Sequence, residues 1–114
     1  MTINRIHPGP RYSEAVIHND TVYLSGQVGE GDDIAAQTRS ALAYIEELLA
    51  EAGSDKSKLL FVTIWLADIA DYDGMNAVWD AWIGGENAPA RATGESKLAS
   101  PDYKVEIIIT AARS

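Results

Sequence analysis

The sequence predicts an α+β sandwich, a mixed β-sheet with two helices packed on one face. Three observations carry this. Two stretches space their apolar residues helically. About five or six others have strand composition or alternation. Each helical stretch stands between strands, which permits parallel pairing across the crossover. With 114 residues and no internal repeat, linker or low-complexity tract, residues 1–114 are read as one domain.

Residues 3–6 suit a short first strand, which His7-Pro8-Gly9-Pro10 interrupts. Residues 12–18 and 21–27 alternate as strands, and Asn19-Asp20 between them suits a two-residue hairpin turn. That turn sets Ile17 against Val22 and Ala15 against Leu24 on one apolar face. The opposite face then carries Tyr12, Glu14, Val16, Tyr23, Ser25 and Gln27, and a one-residue slip would reverse the two. His18, beside the turn, is expected to be exposed. Gly29-Glu30-Gly31 is a loop.

Asp32 or Asp33 can cap a helix running to about Ala52, with Ile34, Ala41, Leu42, Ile45, Leu48, Leu49 and Ala52 on its apolar side. Gly53 suits the left-handed position past its end. Residues 59–68, LLFVTIWLAD, are rich in β-branched and aromatic side chains and read as a strand. Asp71 can cap a second helix, in which Met75, Val78, Trp79 and Trp82 follow at helical spacing and Gly84-Gly85 makes the end. Trp79 and Trp82 read as core rather than as a stacking platform. Pro89 drives Ala88 out of helical space. Residues 90–97 follow as a strand weakened by Gly94, and residues 103–111 form the last strand.

Two helices cover only one sheet face, yet both faces look apolar. In the strand at 59–67, Leu60, Val62, Ile64 and Leu66 share one side; Leu59, Phe61, Trp65 and Ala67 share the other, interrupted by Thr63. In the last strand Val105, Ile107 and Ile109 oppose Ile108, Lys104, Glu106 and Thr110. A second copy of the chain is the simplest cover, so a homo-oligomer is expected. The alternative is a monomer with a shallow groove at Trp65 and Ile108. Glu106 falls mid-strand and partly buried, where a carboxylate needs a partner; Lys104 is the structural candidate.

The formal charge of −8, from 17 acidic and 9 basic residues, opposes binding to nucleic acid or an anionic membrane. No cysteine is present, which removes disulfides, thiolate metal sites and a cysteine nucleophile. The first residues lack a secretory apolar segment and no run is long enough to span a bilayer, so a cytoplasmic location is expected. No phosphate-loop, dinucleotide or serine-nucleophile motif occurs. His7 and His18 have no metal-ligand spacing, and Asp71-Tyr72-Asp73-Gly74 fails as a calcium loop because Ile69 stands at the first ligand position. Arg91 is isolated within N-A-P-A-R-A-T, residues 87–93, and alone reads as a surface charge or an ion-pair partner.

Several segments together resemble one family. Tyr12-Ser13-Glu14-Ala15-Val16, Val22-Tyr23-Leu24-Ser25-Gly26-Gln27, Gln37-Thr38-Arg39, Ala88-Pro89-Ala90-Arg91 and Lys104-Val105-Glu106-Ile107 are similar, in order, to elements of the RidA/YjgF imine deaminases. Val16-Ile17-His18-Asn19 and Trp79-Asp80-Ala81-Trp82 resemble its YoaB-like branch. The resemblance implies a chorismate-mutase-like fold and a homotrimer with sites at subunit interfaces. It implies hydrolysis of reactive 2-imino or enamine acids to 2-oxo acids and ammonia, with no metal or organic cofactor. Arg91 would bind the substrate carboxylate and Glu106 would activate water, as catalytic residues. Tyr12, Ser25, Gln27 and Thr93 would bind substrate, and the small neighbours of Arg91 would leave room for it.

Four departures bear on substrate preference more than on fold. Arg11 looks inserted before Tyr12, and Glu14 replaces a usual glutamine. The loop after Gln27 is short, and Thr93 stands where some members have cysteine. A non-catalytic protein binding a small carboxylate metabolite is the alternative. The endoribonuclease label used for relatives conflicts with the acidic charge.

Overall fold

In the computed structural model, which describes residues 2–113, strands and helices follow the predicted order. The strands are β1 (Ile3–Pro8), β2 (Ser13–His18), β3 (Thr21–Leu24), β4 (Leu59–Leu66), β5 (Ala90–Glu95) and β6 (Val105–Ala112). The helices are α1 (Ile34–Glu51) and α2 (Tyr72–Ile83). The strands form one sheet in the order β1-β2-β3-β6-β4-β5. All neighbours are antiparallel except β4 and β5, which run parallel because α2 carries the chain back across the sheet.

The hairpin has the predicted register: Ile17 pairs with Val22 and Ala15 with Leu24. Asn19 takes the left-handed turn position, with φ +56°, which asparagine tolerates better than most residues. β3 is shorter than expected. Its ladder with β6 runs regularly through Tyr23 and Thr110, then slips by one residue to the isolated pair of Gln27 and Ile107. The slip is a bulge around Ser25 and Gly26, which ends the strand at Leu24. β1 continues through His7 and Pro8; as an edge strand it tolerates the missing amide.

Asp33 caps α1 by accepting a hydrogen bond from the Ala36 amide (2.8 Å), and Gly53 follows its end with φ +79°. Gln37 is buried and fully used. Its Nε2 donates to the carbonyls of Gly31 (3.1 Å) and Asp102 (2.9 Å), and its Oε1 accepts from the Lys104 amide (2.7 Å). It thus fastens two loops to α1. The expected Asp71 cap is not made. A 3₁₀ turn at Ile69–Asp71 precedes α2, and Asp68 caps that turn through the Ala70 amide at 2.9 Å.

The core lies between the helices and one sheet face. Val22, Val62, Ile64, Leu66, Val105 and Ile107 meet Leu42, Ile45 and Leu49 of α1 and Met75 and Trp79 of α2. In β4 the expected facing fails at the start. The register breaks between Leu59 and Phe61, so Leu59 turns into the core while Leu60 and Phe61 are both exposed. The bulge absorbs one residue, and alternation then resumes with Val62 inward. The strand stops at Leu66, leaving Ala67 outside it.

The other sheet face carries no helix. Tyr23, Phe61 and Trp65 are 48%, 45% and 37% exposed on it. His18, expected to be exposed, is half-buried, and its Nε2 is enclosed without a partner among the described residues.

Candidate functional site

The predicted site residues fall into two groups, one on each face of the sheet. Glu106 belongs to the open face, because β6 alternates and its neighbours Val105 and Ile107 are in the core. It sits opposite Trp65 of β4. The suggested ion pair with Lys104 is not formed, and Glu106 has no hydrogen bond or salt bridge among the described residues. Its carboxylate lies directly over Gly26. A methyl group there would collide with it, so the close approach requires glycine.

Ser25 and Gln27 lie on either side of Gly26. Gln27 is 8% exposed, and its Nε2 donates to the Ser25 carbonyl (3.2 Å), the Ser25 Oγ (3.1 Å) and Glu14 Oε2 (3.1 Å). Tyr12, 62% exposed, borders a small groove with His7, Gly9, Arg11 and Glu14. The short loop after Gln27 is tied to α1. The Glu30 amide donates to Ser40 Oγ (3.0 Å), and Tyr44 donates its hydroxyl to Glu30 (2.7 Å). That bond and the Glu30 charge hold the Tyr44 phenol above its usual pKa.

Arg91 and Thr93 lie on the helix side. Parallel pairing sets Arg91 level with Val62 and Thr93 level with Ile64, both core residues. The Arg91 guanidinium stands 5.5 Å from the Trp79 ring and 6.0 Å from the Tyr72 ring, within cation–π range. One of its terminal nitrogens is 3.5 Å from the Tyr72 hydroxyl. No carboxylate is within ion-pair distance of Arg91 among the described residues. A cleft of about 610 Å³, which Arg91 itself does not line, is bordered by its neighbours Tyr72 and Thr93 together with Ile69, Ala70 and Asp73. Thr93 Oγ1 is buried with no hydrogen-bond partner among the described residues.

The small neighbours of Arg91 do not make room on its own side. Ala90, Ala92 and Gly94 pair with Phe61, Thr63 and Trp65 and so belong to the open face. At Gly94 the Trp65 ring crowds the space a side chain would need. Tyr72 is a site neighbour that the sequence reading missed. It and Trp79 are seven residues apart on α2, two helical turns, which was the available signal.

Chemically, the helix-side group offers a charged fork for a carboxylate, and the open-face group offers an uncommitted carboxylate beside polar side chains. One chain holds them apart, with the sheet between. A groove of about 720 Å³ between α1 and α2 has an apolar floor with Leu42 and Val78. Its polar groups are largely tied together: Glu46 accepts from Trp82 Nε1 at 2.7 Å and pairs with Lys56 at 3.6 Å. No helix among the described residues is long and apolar enough to cross a membrane.

Comparison with known proteins agrees with this architecture. The Endoribonuclease L-PSP family profile matches residues 2–113. The chain is 47% identical to the RutC family protein YoaB of Escherichia coli K12 over 113 residues, covering 98% of this chain and 99% of the relative. It is 32% identical over 107 residues to human 2-iminobutanoate/2-iminopropanoate deaminase, covering 87% of this chain and 77% of that one. A crystal structure of a YjgF family member from Neisseria meningitidis superposes with a TM-score of 0.98 at 48% identity, covering 100% of this chain and 97% of that one. With two helices on a mixed sheet of this topology and a match along nearly its whole length, the chain belongs to the Endoribonuclease L-PSP family, the RidA/YjgF family of its sequence motifs.

Proposed function

We propose that the chain hydrolyses 2-imino acids and their enamine tautomers to 2-oxo acids and ammonia, in pockets shared between copies of itself in a homotrimer. Arg91 and Thr93 come from one copy; Tyr12, Ser25, Gln27 and Glu106 come from its neighbour. The observation that carries this reading is Arg91 itself. In a chain of net charge −8 it has no carboxylate partner among the described residues and is held by two aromatic rings beside an open cleft. A guanidinium kept free in this way suits an anionic ligand. The exposed aromatic residues of the open face supply a surface for the second copy, and the deaminases at 32% identity supply the reaction class.

The chemistry needs little beyond positioning. Arg91 holds the substrate carboxylate through two parallel N–H donors, which fixes the adjacent C=N carbon. Glu106 accepts a proton from water as the water oxygen bonds to the carbon of the protonated imine, giving a carbinolamine. Glu106 then returns that proton to the nitrogen. The hydroxyl proton passes to Glu106 as the C=O bond forms and the C–N bond breaks, and ammonia leaves with the bonding pair. The proton brought by the substrate ends in solvent, and no redox partner is required.

Replacing Arg91 with alanine should abolish acceleration of 2-iminopropanoate hydrolysis while leaving the oligomer intact. Equal rates for the two proteins would sink the assignment. Ligand binding without ammonia release would make the pocket a receptor instead. A hybrid experiment tests the sharing. Arg91→Ala and Glu106→Gln proteins should each be inactive, but randomly mixed trimers should regain about a quarter of the intact sites. Mixed trimers without activity would place both residues in one chain's site.

A further inference from the structure

We infer that Glu14 sets the charge selectivity of this site. It admits 2-imino acids with neutral or cationic side chains and rejects those carrying a second carboxylate. The inference rests on the imine hydrolysis proposed above.

Glu14 lies on the same open face as Glu106, since its neighbour Ala15 is in the core and Val16 pairs with Tyr23. Its backbone carbonyl accepts the Ser25 amide (2.9 Å), so it is level with the polar end of β3. Two ladder spacings, about 10 Å of backbone, separate β2 from β6. Between them the chain presents Gly26, with no side chain. Two carboxylates, Glu14 level with Ser25 and Glu106 over Gly26, therefore flank the same stretch of the open face.

Glu14 is held in place without being neutralised. Buried Gln27 donates to its Oε2, while Ser25 shares the same amide. The other oxygen accepts nothing from the described residues. No lysine or arginine reaches ion-pair distance among them. Four basic side chains are near it: His7 and Arg11 in the groove beside Tyr12, Arg5, which pairs with Val16, and Lys104, two residues before Glu106; Arg5 and Lys104 form no ion pair among the described residues. His7 is turned onto Glu51 (2.9 Å), and Arg11 is exposed and does not pair with Glu14. If Glu14 served only to anchor Gln27, an uncharged acceptor would do the same, since the Gln27 amide needs only an oxygen.

Arg91 is one cation and takes the carboxylate that every 2-imino acid shares. A second carboxylate on the substrate would then meet Glu14 and Glu106, which no basic side chain pairs among the described residues. In a half-exposed site, such like-charge repulsion at contact distances is worth about tenfold to a hundredfold in rate.

The experiment compares kcat/KM for 2-iminopropanoate and 2-iminosuccinate, each generated freshly by an amino-acid oxidase. Wild type should prefer the monocarboxylate by at least about tenfold, and this preference should shrink as salt rises. Glu14→Gln keeps the acceptor for Gln27 and should narrow the ratio about tenfold, with little remaining salt dependence. An unchanged ratio in Glu14→Gln overturns the proposal. So does a wild-type preference that ignores salt, or a preference for 2-iminosuccinate, which would assign the second carboxylate to Arg11. The wild-type salt series stands even if the variant does not fold. If wild type accelerates neither imine, the hydrolysis reading falls and this one falls with it.

Discussion

Ile107 and Ile108 are the same residue at adjacent positions of β6, and they occupy different worlds. Ile107 is fully buried beneath the helices, whereas Ile108 lies half-covered on the open face, opposite Thr63. The helix-side face is covered by the chain's own α1 and α2 except at the cleft by Tyr72 and Thr93, and its sheet core is apolar. The open face mixes Val16, Tyr23, Phe61 and Trp65 with Glu14 and Glu106. One face is built for stability. The other combines unclosed apolar area with uncommitted charge, the composition of a surface that meets something else.

The largest effect should separate these two isoleucines. Ile107→Ala should cost about 2–5 kcal/mol of folding stability, as for other buried aliphatic truncations. The loss should appear in denaturant melts at any protein concentration. Ile108→Ala should instead weaken self-association, so its cost in melts should vary with concentration. Equal, concentration-independent losses at both positions would break the distinction between the faces. Sedimentation at several dilutions supplies the second readout.

A smaller effect should follow at Gly26. Alanine there meets the flexible end of Glu106 rather than backbone, so the fold should survive while the carboxylate is pushed aside. On the proposed mechanism kcat should fall by up to about a hundredfold, the scale expected when a reacting group is misplaced by an ångström or so. Unchanged turnover would show that Glu106 does not act from where it stands. Asp33→Ala, by contrast, removes only the cap of α1 and should cost about 1 kcal/mol of stability. Its kcat should match wild type, because the cap bonds only the Ala36 amide and touches none of the proposed site residues.

Legibility from sequence divides along similar lines. The hairpin register could be read because Asn19-Asp20 fixes a two-residue turn and alternation continues on both sides. The end of β3 and the start of β4 could not, because a bulge inserts one residue without altering composition. Leu59 and Leu60 are equally apolar, and only the backbone irregularity decides which turns inward. The family motifs supplied the candidate residues, but no spacing between Arg91 and Glu106 says which side of a sheet each occupies. That depends on β5 pairing in parallel with β4, with Arg91 level with Val62. Glu14 was visible as a departure from the motif; its bond to Gln27 was not.

The two halves of the proposed site also differ in how they are held. Gln27 anchors the open-face half through several hydrogen bonds, whereas Arg91 is steadied mainly by rings. Its contact to the Tyr72 hydroxyl, at 3.5 Å, is at the outer limit for a hydrogen bond. The smallest effect should therefore come from Tyr72→Phe, which keeps the ring and removes the hydroxyl. KM for 2-iminopropanoate should rise only about twofold to threefold, the scale of a weak exposed contact. Tyr72→Ala removes the ring and frees the guanidinium, and a cation–π contact of about 0.5–1 kcal/mol predicts a larger rise in KM than Tyr72→Phe gives. If Tyr72→Phe is as damaging as Tyr72→Ala, the hydroxyl touches the substrate itself, and Tyr72 joins Arg91 and Thr93 in binding it.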